Sequence, residues 1–487
     1  MLTRRSFVAG TVLAGGTAFA AASIWRAAAA EPQKLRIPDL IDARRHGQPI
    51  ALRAQAGRTS FFPGQESRTL GYNGNYLGPT LRVHRGDDVE IAVTNALGED
   101  TTVHWHGLLI PGELDGGPHQ MIRQGATWRP MLPIRQPAAT LWYHSHVHGR
   151  TAEQVYAGLS GLLLVTDDDE KALGLPSEYG LDDLPLVLQD RQFEDGRLVL
   201  PDGMMAQMHG RRGDTLLVNG TVNPVARVPR RLVRLRLVNG SNARIYHLAF
   251  EDGRPFHWIA SEGGLLERPV ELRSLSLAPG ERAEILVDFA DGRSIVLETG
   301  MDTNAPMMMG MLARASDLIT GREPVLRFEP QGEEETGAKV PERLMAHERL
   351  DVSRVVRRRR FAMTMGMGGM MRGMMDGGMG MHGINGCAFD MERIDEEVRL
   401  GDVEIWEVSG AMMAHPFHVH GVHFEMLSRN GAAPGPRDQG LRDTVVVQEP
   451  VELLVRFTQP AVAAPFMYHC HILEHEDNGM MGQFVVR

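Results

Sequence analysis

The 487-residue chain is too long for a single hydrophobic core, and its length alone predicts about three domains. Its formal net charge of −10 argues against nucleic acid as a partner. With 54 glycines, 28 prolines and few long amphipathic patterns, the composition predicts an all-β protein with many turns.

The first 30 residues are predicted to form an export signal. Arg4 and Arg5 precede a weakly apolar stretch, and small residues occupy positions 27–30. This order resembles a twin-arginine signal peptide over residues 1–30, and the weak hydrophobicity disfavours the alternative of an uncleaved membrane anchor. We therefore expect a monomeric protein that is exported to a bacterial periplasm and has no stable membrane insertion.

The first third of the chain carries two His-x-His pairs, His104 with His106 and His144 with His146. Residues 83–93 alternate apolar and polar side chains, which predicts strands with one buried face. On a strand, residues i and i+2 point to the same face, so each pair presents two imidazoles to one site. A single pair is as compatible with zinc or with chance as with copper.

The middle third has the same strand-like alternation, in 231–239 and 283–289, but no His-x-His pair. We predict that the middle third forms a β-sandwich, that it separates two related sandwiches in the first and last thirds, and that it contributes no copper ligands. The expected domains are 31–170, 171–340 and 341–487.

The last third begins with a segment of unusual composition. Residues 363–381 contain nine methionines and seven glycines, a composition that no packed core requires. Thioethers are soft ligands that prefer Cu(I), whereas the plain alternative is a low-complexity linker.

Two further His-x-His pairs follow, His418 with His420 and His469 with His471. Four pairs offer eight imidazoles, which are too many for one ion and suit a cluster between the outer domains. Cys470 lies inside the last pair, which argues for a metal-bound thiolate rather than a disulfide with the remaining cysteine.

Three more residues near Cys470 complete a second ligand set: His415, His475 and Met480. Two imidazoles, one thiolate and one weak thioether are the ligands of a blue copper electron-transfer site. The other cysteine, Cys387, is expected to be a buried thiol, with a role as an additional ligand as the less favoured alternative.

The two ends of the chain are predicted to be duplicated domains. Four segments of the first third recur in the same order in the last third: 85–91 with 400–405, 104–107 with 418–421, 142–146 with 467–471, and 158–162 with 479–483. In this comparison Thr101, Ser145 and Leu159 stand where His415, Cys470 and Met480 stand. The first third should therefore keep its cluster histidines and lack an electron-entry site.

The motifs at 104–107, 144–146, 415–421 and 469–480 resemble those of the multicopper oxidases over essentially the whole mature chain. The resemblance implies three consecutive cupredoxin-like Greek-key β-sandwich domains and four copper ions per chain. It implies type 1 copper at His415, Cys470, His475 and Met480, type 2 copper at His104 and His418, and a type 3 pair at His106, His144, His146, His420, His469 and His471.

The same resemblance implies catalytic roles for Cys470 in electron transfer and for Asp115 and Glu476 in proton delivery. Reduction of dioxygen to water consumes protons as well as electrons, so acids near the cluster are expected. Ordinary loop carboxylates are the alternative for both acids.

The methionine-rich segment resembles that of periplasmic cuprous oxidases of the copper-resistance type. This implies oxidation of Cu(I) to Cu(II), with dioxygen as acceptor, for copper tolerance. The candidate ligands of the substrate copper are Met363, Met365, Met367, Met413 and Asp376. Ala411 departs from the subgroup, which commonly has an acid there. The alternatives are a laccase-like oxidase of phenols, a ferroxidase acting on Fe(II), and a copper-binding scaffold without activity.

Overall fold

The computed structural model describes residues 31–487 except 303, 306–321, 335–337, 367–381 and 411. The expected signal peptide and most of the methionine-rich segment, with Met367 and Asp376, lie outside the described residues.

The first third forms two sheets. Its strands are β1 (Gln33–Lys34), β2 (Leu40–Asp42), β3 (Ile50–Phe62), β4 (Gln65–Tyr72), β5 (Thr80–His84), β6 (Asp88–Ala96), β7 (Thr127–Trp128), β8 (Met131–Pro133), β9 (Ala139–His144) and β10 (Ser160–Thr166). Its helices are α1 (Ala43–His46), α2 (Thr151–Ala157) and α3 (Asp168–Ala172), with a 3₁₀ turn at Gly112–Leu114. The sheets have the orders β2-β5-β10-β9 and β4-β3-β6-β7, with β8 also paired to β6.

The middle third forms two larger sheets. Its elements are β11 (Asp183–Glu194), β12 (Arg197–Val199), α4 (Met204–His209), β13 (Thr215–Val218), β14 (Thr221–Val222), β15 (Pro224–Arg230), β16 (Leu232–Asn239), β17 (Tyr246–Phe250), β18 (Phe256–Ser261), β19 (Gly264–Leu272), β20 (Leu275–Leu277), β21 (Arg282–Asp288), β22 (Ile295–Thr299) and β23 (Glu323–Glu334). One sheet has the order β14-β13-β11-β16-β21-β18-β19, with β12 on β11, and the other β1-β15-β23-β22-β17-β20. The chain therefore places its first strand, β1, in a sheet of the middle third.

The last third again forms two sheets. Its strands are β24 (Val355–Met365), β25 (His382–Ile384), β26 (Glu396–Val398), β27 (Val403–Gly410), β28 (His415–Val419), β29 (Phe424–Arg429), β30 (Thr444–Val447), β31 (Val451–Arg456), β32 (Ala461–Cys470) and β33 (Met481–Val486). Helix α5 (Leu473–Asp477) follows β32, and 3₁₀ turns lie at Val352–Arg354 and Pro436–Asp438. The sheet orders are β25-β24-β27-β31-β29 and β26-β33-β32-β28-β30.

Each third packs its two sheets around an apolar cluster, which confirms the predicted all-β sandwich architecture. The alternation read from residues 83–93 is real, because Val89, Ile91 and Val93 are fully buried on β6. Residues from both sheets share each cluster, as with Val93 and Leu163, Leu235 and Leu297, and Val455 and Phe484. The boundaries at 170 and 340 stay predictions.

The polar face of β16 is buried, although its alternation is that of a strand with one exposed face. Arg234 and Arg236 are 2% and 3% exposed. Arg234 pairs with Glu284 on β21, and Arg236 pairs with Asp183 of β11 at 2.6 Å. Both arginines also reach Glu170 on α3, so paired charges fill the contact between the first and middle thirds.

None of the helices in the described part of the chain is both long enough and apolar enough to cross a membrane.

Candidate metal centre

Histidines from both ends of the chain meet in one buried space. His104 and His144, the last residue of β9, form an antiparallel bridge with N–H···O distances of 2.8 and 3.2 Å. In the last third, β28 and β32 pair antiparallel and bring His418 opposite His469. The second histidine of each pair lies two residues further along the chain, just beyond the bridge or strand.

Ring nitrogens of the four pairs approach one another closely, both within the last third and between the first and last thirds. Nε2 of His469 lies 3.2 Å from Nε2 of His146 and 3.1 Å from Nε2 of His420. Nε2 of His104 lies 3.5 Å from Nε2 of His418. The structure thus brings together the four pairs that the sequence singled out, across the junction of the first and last thirds.

Several groups of three side chains in the described residues have ligand atoms within 4.8 Å of one another. They are His104 with His418 and His420, His104 with His106 and His144, His146 with His420 and His469, His106 with His418 and Asp443, and His415 with Cys470 and His475.

His471 is in none of these groups but lies beside them. Its ring centroid is 5.1 Å from that of His106 and 5.5 Å from that of His144. Neither of its ring nitrogens has a hydrogen-bond partner among the described residues, and the side chain is fully buried. A buried imidazole without partners is costly, and metal coordination would satisfy it, so the residues present fit a metal cluster.

Backbone carbonyls fix the tautomer of several rings. Because a carbonyl oxygen accepts and cannot donate, the Nδ1 that bonds to it carries the proton and Nε2 keeps its lone pair for the cluster. The donors are Nδ1 of His104, His144, His418 and His469, at 3.1, 2.8, 2.9 and 3.0 Å from the oxygens of Asp115, Ser145, Asp443 and Cys470.

His106 has the opposite orientation, and Asp443 is the reason. Nε2 of His106 lies 3.1 Å from a carboxylate oxygen of Asp443, while its Nδ1 faces Nε2 of His144 at 3.3 Å. Arg282, the first residue of β21, donates to both oxygens of the same carboxylate. Burial alone would raise the pKa of Asp443, but Arg282 and His106 outweigh it and hold that pKa well below 3.8.

Sequence reasoning missed Asp443. It belongs to no repeated segment and to no spacing typical of metal ligands, and it is 337 residues from His106. Its position before β30 becomes informative when the pairing of β28 with β30 is known.

Six of the cluster imidazoles are held neutral. Burial is the largest cause, and the positive charges that neighbouring imidazoles would carry add to it. Together they lower the pKa well below 6.5 for His106, His144, His146, His420, His469 and His471. Neutral imidazoles are the form that binds a metal ion.

The two predicted proton donors both lie against cluster histidines. Asp115 is 2% exposed and accepts from Nδ1 of His420 at 2.7 Å. Glu476 is 1% exposed, with its oxygens 3.3 Å from Nδ1 of His146 and 3.3 Å from Nδ1 of His469, outside hydrogen-bond alignment. Burial and the neighbouring Asp477 raise the pKa of Glu476 well above 4.5. The proton-delivery role of both acids stays a prediction.

The second candidate site surrounds Cys470 at the end of β32. Its Sγ lies 3.5 Å from Nδ1 of His415, at the start of β28, and 3.6 Å from Nδ1 of His475 on α5. The backbone N–H groups of Cys470 and Met480 donate to the carbonyls of Met480 and His475, respectively, at 3.0 and 2.8 Å, which closes the loop around the thiol. All four side chains are fully buried, and burial raises the pKa of the thiol.

The first third has a polar cluster at the equivalent place. Ser145 donates its backbone N–H to the carbonyl of Leu159, as Cys470 does to that of Met480, so these residues make equivalent backbone bonds at the two ends. The side-chain oxygen of Gln154 accepts from the hydroxyls of Thr101 and Ser145 at 2.7 and 2.6 Å. Gln154 therefore occupies the position of His475, a correspondence that the sequence comparison missed because α2 and α5 share no motif.

The methionines of the proposed substrate-copper site that lie within the described residues differ in their burial. Met363 is 1% exposed and belongs to the apolar core that contains Cys470, a placement that favours packing over a surface ion site. Met365 and Met413 are partly buried at the edge of this core. The expectation for Cys387 is wrong, because this residue is exposed in a tight turn after β25; both cysteines are free.

Family models support the architecture. Residues 53–170 and residues 360–487 each match a model described as multicopper oxidase.

Full-length relatives carry a different description. Two proteins named cell division protein FtsP, from Xenorhabdus nematophila and from Escherichia coli K12, are each 40% identical over 491 residues. Both alignments cover 100% of this chain, with 98% and 99% of the respective relative.

A solved structure is also similar. The laccase-like multi-copper oxidase CueO from Ochrobactrum sp., described as having oxidase activity towards lignin model compounds and lignosulfonate, is 43% identical with a TM-score of 0.84. The match covers 93% of this chain and 100% of that chain.

The prediction of a cuprous oxidase for copper tolerance is wrong. It is contradicted by the FtsP relatives, which match the whole chain at 40% identity and are named for cell division. The methionine-rich composition was a weak guide to the cellular role, because segment composition is tied less closely to function than the buried ligand geometry.

We predict that copper-free protein loses stability as the pH falls below about 6.5. The lowered pKa values mean that the unfolded chain takes up protons which the folded chain excludes, so stability is present above pH 6.5 and is lost below it. Each such histidine contributes about 1.4 kcal/mol per pH unit to the slope of the unfolding free energy. Denaturant unfolding across this range measures the slope in the parent and in His471→Ala. The variant should have the smaller slope, and equal slopes in the two proteins would contradict a buried neutral imidazole at this position.

Replacement of Asp443 by asparagine is expected to weaken copper binding by roughly 10- to 100-fold, because an uncharged amide has one acceptor oxygen and cannot accept from both His106 and Arg282 as the carboxylate does. The matched control is Glu284→Gln, which disturbs another buried arginine pair away from the histidines. Both variants should be less stable, but copper affinity in a competition titration should fall in Asp443→Asn alone. Equal affinities would contradict the orienting role.

Proposed function

This chain belongs to the multicopper oxidase family, and we propose that it is a copper-loaded oxidase with a role in cell division. The observation that carries the oxidase part is the joining of Cys470 to the histidine cluster. His469 and His471 flank the thiol in the chain, so one stretch of backbone connects the two candidate sites.

Four copper ions are part of the proposal. His415, Cys470, His475 and Met480 would hold the type 1 ion; His104 and His418 the type 2 ion; and His106, His144, His146, His420, His469 and His471 the type 3 pair. The 3.5 Å separation of Nε2 of His104 from Nε2 of His418 supports one shared ion, since two nitrogens about 2 Å from an ion lie roughly 3–4 Å apart.

Bound copper would supply one-electron transfer at the Cys470 site and reduction of dioxygen to water at the cluster. The chain contributes fixed, neutral imidazoles and exclusion of water. Burial raises the pKa of Glu476, whose carboxyl lies within 3.3 Å of His146 and His469 and would exchange protons with the cluster from there.

The division role rests on the full-length identity with proteins named FtsP. Export through the twin-arginine route to the periplasm is part of the same proposal and is supported by Arg4 and Arg5 in the leader.

For the oxidase, we predict that Cys470→Ser abolishes steady-state oxygen consumption with a one-electron donor such as ferrocyanide. The thiol is the link between donor and cluster, so a hydroxyl in its place breaks electron entry. Cys387→Ser is the control, since that thiol is exposed. Copper content, determined in parallel, ensures that the parent is loaded; a fully loaded parent without oxygen consumption would sink the oxidase assignment.

For the division role, we predict that deletion of the gene causes a septation defect, visible as elongated cells. The parent and Cys387→Ser should restore normal length, whereas Cys470→Ser should not, provided that immunoblots show equal protein levels. Full restoration by Cys470→Ser would mean that division needs the folded protein without its oxidase chemistry.

A further inference from the structure

Helix α4 lies across the outer edge of the Cys470 site. It has six residues between two glycines of positive φ, Gly203 and Gly210, at 101° and 78°. Such a short helix leaves its last carbonyls without partners inside the helix. Two imidazoles from the last third supply those partners.

The two imidazoles bind consecutive carbonyls of α4. Nε2 of His475 lies 3.0 Å from the oxygen of Met208, and Nε2 of His382 lies 3.1 Å from the oxygen of Gln207. Since carbonyls only accept, both rings carry their proton on Nε2 and keep a lone pair on Nδ1. For His475, that Nδ1 is the atom facing Sγ of Cys470.

The same two rings stack on each other. Their centroids are 4.5 Å apart with an interplanar angle of 28°. His475 is fully buried and His382 is 3% exposed, so His382 covers one face of the ligand ring.

His382 has few other polar ties. It begins β25, opposite Met365 of β24. Its Nδ1 has no hydrogen-bond partner within the described ranges of the chain, and burial lowers its pKa, which keeps the ring neutral. Among the described residues, the His382 ring therefore has its polar contact with the Gln207 carbonyl of α4, next to the Met208 carbonyl that binds His475.

We propose that His382 is a positioning residue for His475, acting through the ring stack and through their shared attachment to α4. The inference rests on the proposed copper site at Cys470. Rotation of the His475 ring would break its bond to Met208 and its overlap with His382, and either change would move Nδ1 away from the thiol. Without His382, one of these two restraints is lost and the outer face of the ligand ring is uncovered.

Three variants separate the restraints. His382→Phe keeps a flat ring for stacking and loses the bond to Gln207, His382→Gln keeps a donor near the place of Nε2 and loses the stack, and His382→Ala loses both. His347→Ala is the control, because this histidine also donates to a backbone carbonyl, that of Leu265, but lies outside the site.

The measurement is copper affinity at the Cys470 site by competition titration, together with the visible thiolate-to-copper absorption and the electron paramagnetic resonance splitting. His382→Ala should bind copper about tenfold more weakly with a shifted spectrum. His382→Phe should recover part of the affinity, and His347→Ala should match the parent. Parental affinity and an unchanged spectrum in His382→Ala would overturn the proposal.

Hydrogen exchange on copper-free protein distinguishes a failure of the proposed role of His382 from a failure of the proposed copper site. The amides of α4 should exchange faster in His382→Ala than in His347→Ala, because α4 has lost one of its two imidazole attachments. Equal exchange overturns the role of His382. A parent that takes up no copper at Cys470 defeats the proposed function, while faster exchange in the variant still supports the attachment.

Discussion

The buried imidazoles at the junction of the first and last thirds impose the constraint on which the rest depends. Most rings that offer one nitrogen to the cluster place the other, protonated nitrogen against an acceptor of the protein, although the ring of His471 has no such partner among the described residues. Backbone carbonyls at or near strand ends provide several of these acceptors, and the carboxylates of Asp115 and Asp443 provide others. The two carboxylate bonds join the first and last thirds, so they constrain how these thirds meet.

The middle third contributes more than separation. Arg282 fixes the carboxylate that orients His106, and Arg211 pairs with Glu474 on α5 at 3.0 Å. Helix α4 of the same third supplies the carbonyl for His475. The middle third contributes no residue to the ligand groups found among the described residues, yet its side chains and backbone contact residues of both sites.

Much of the candidate site could be predicted from local periodicity in the sequence. Contacts between residues that are distant in the chain could not. The i, i+2 spacing of His469 and His471 around Cys470 identified both sites, since strand geometry fixes where such side chains point. Asp443 was not predicted because its partner is 337 residues away. The burial of Arg236 was not predicted because alternation indicates a polar face but not whether another sandwich covers that face. Cys387 shows the converse, since a cysteine is usually buried and this one lies in an exposed turn.

The polar cluster of Thr101, Ser145 and Gln154 makes the difference between the two ends hard to reverse. Cysteine at position 145 alone would give a thiol without imidazoles and offer Gln154 a weaker donor than the Ser145 hydroxyl. Histidine at 101 or 154 alone would break a buried hydrogen bond, at a cost of about 1–3 kcal/mol. A thiol-and-imidazole site in the first third would therefore require several substitutions that are each destabilising on their own, so the stability of this polar cluster maintains the difference between the two ends.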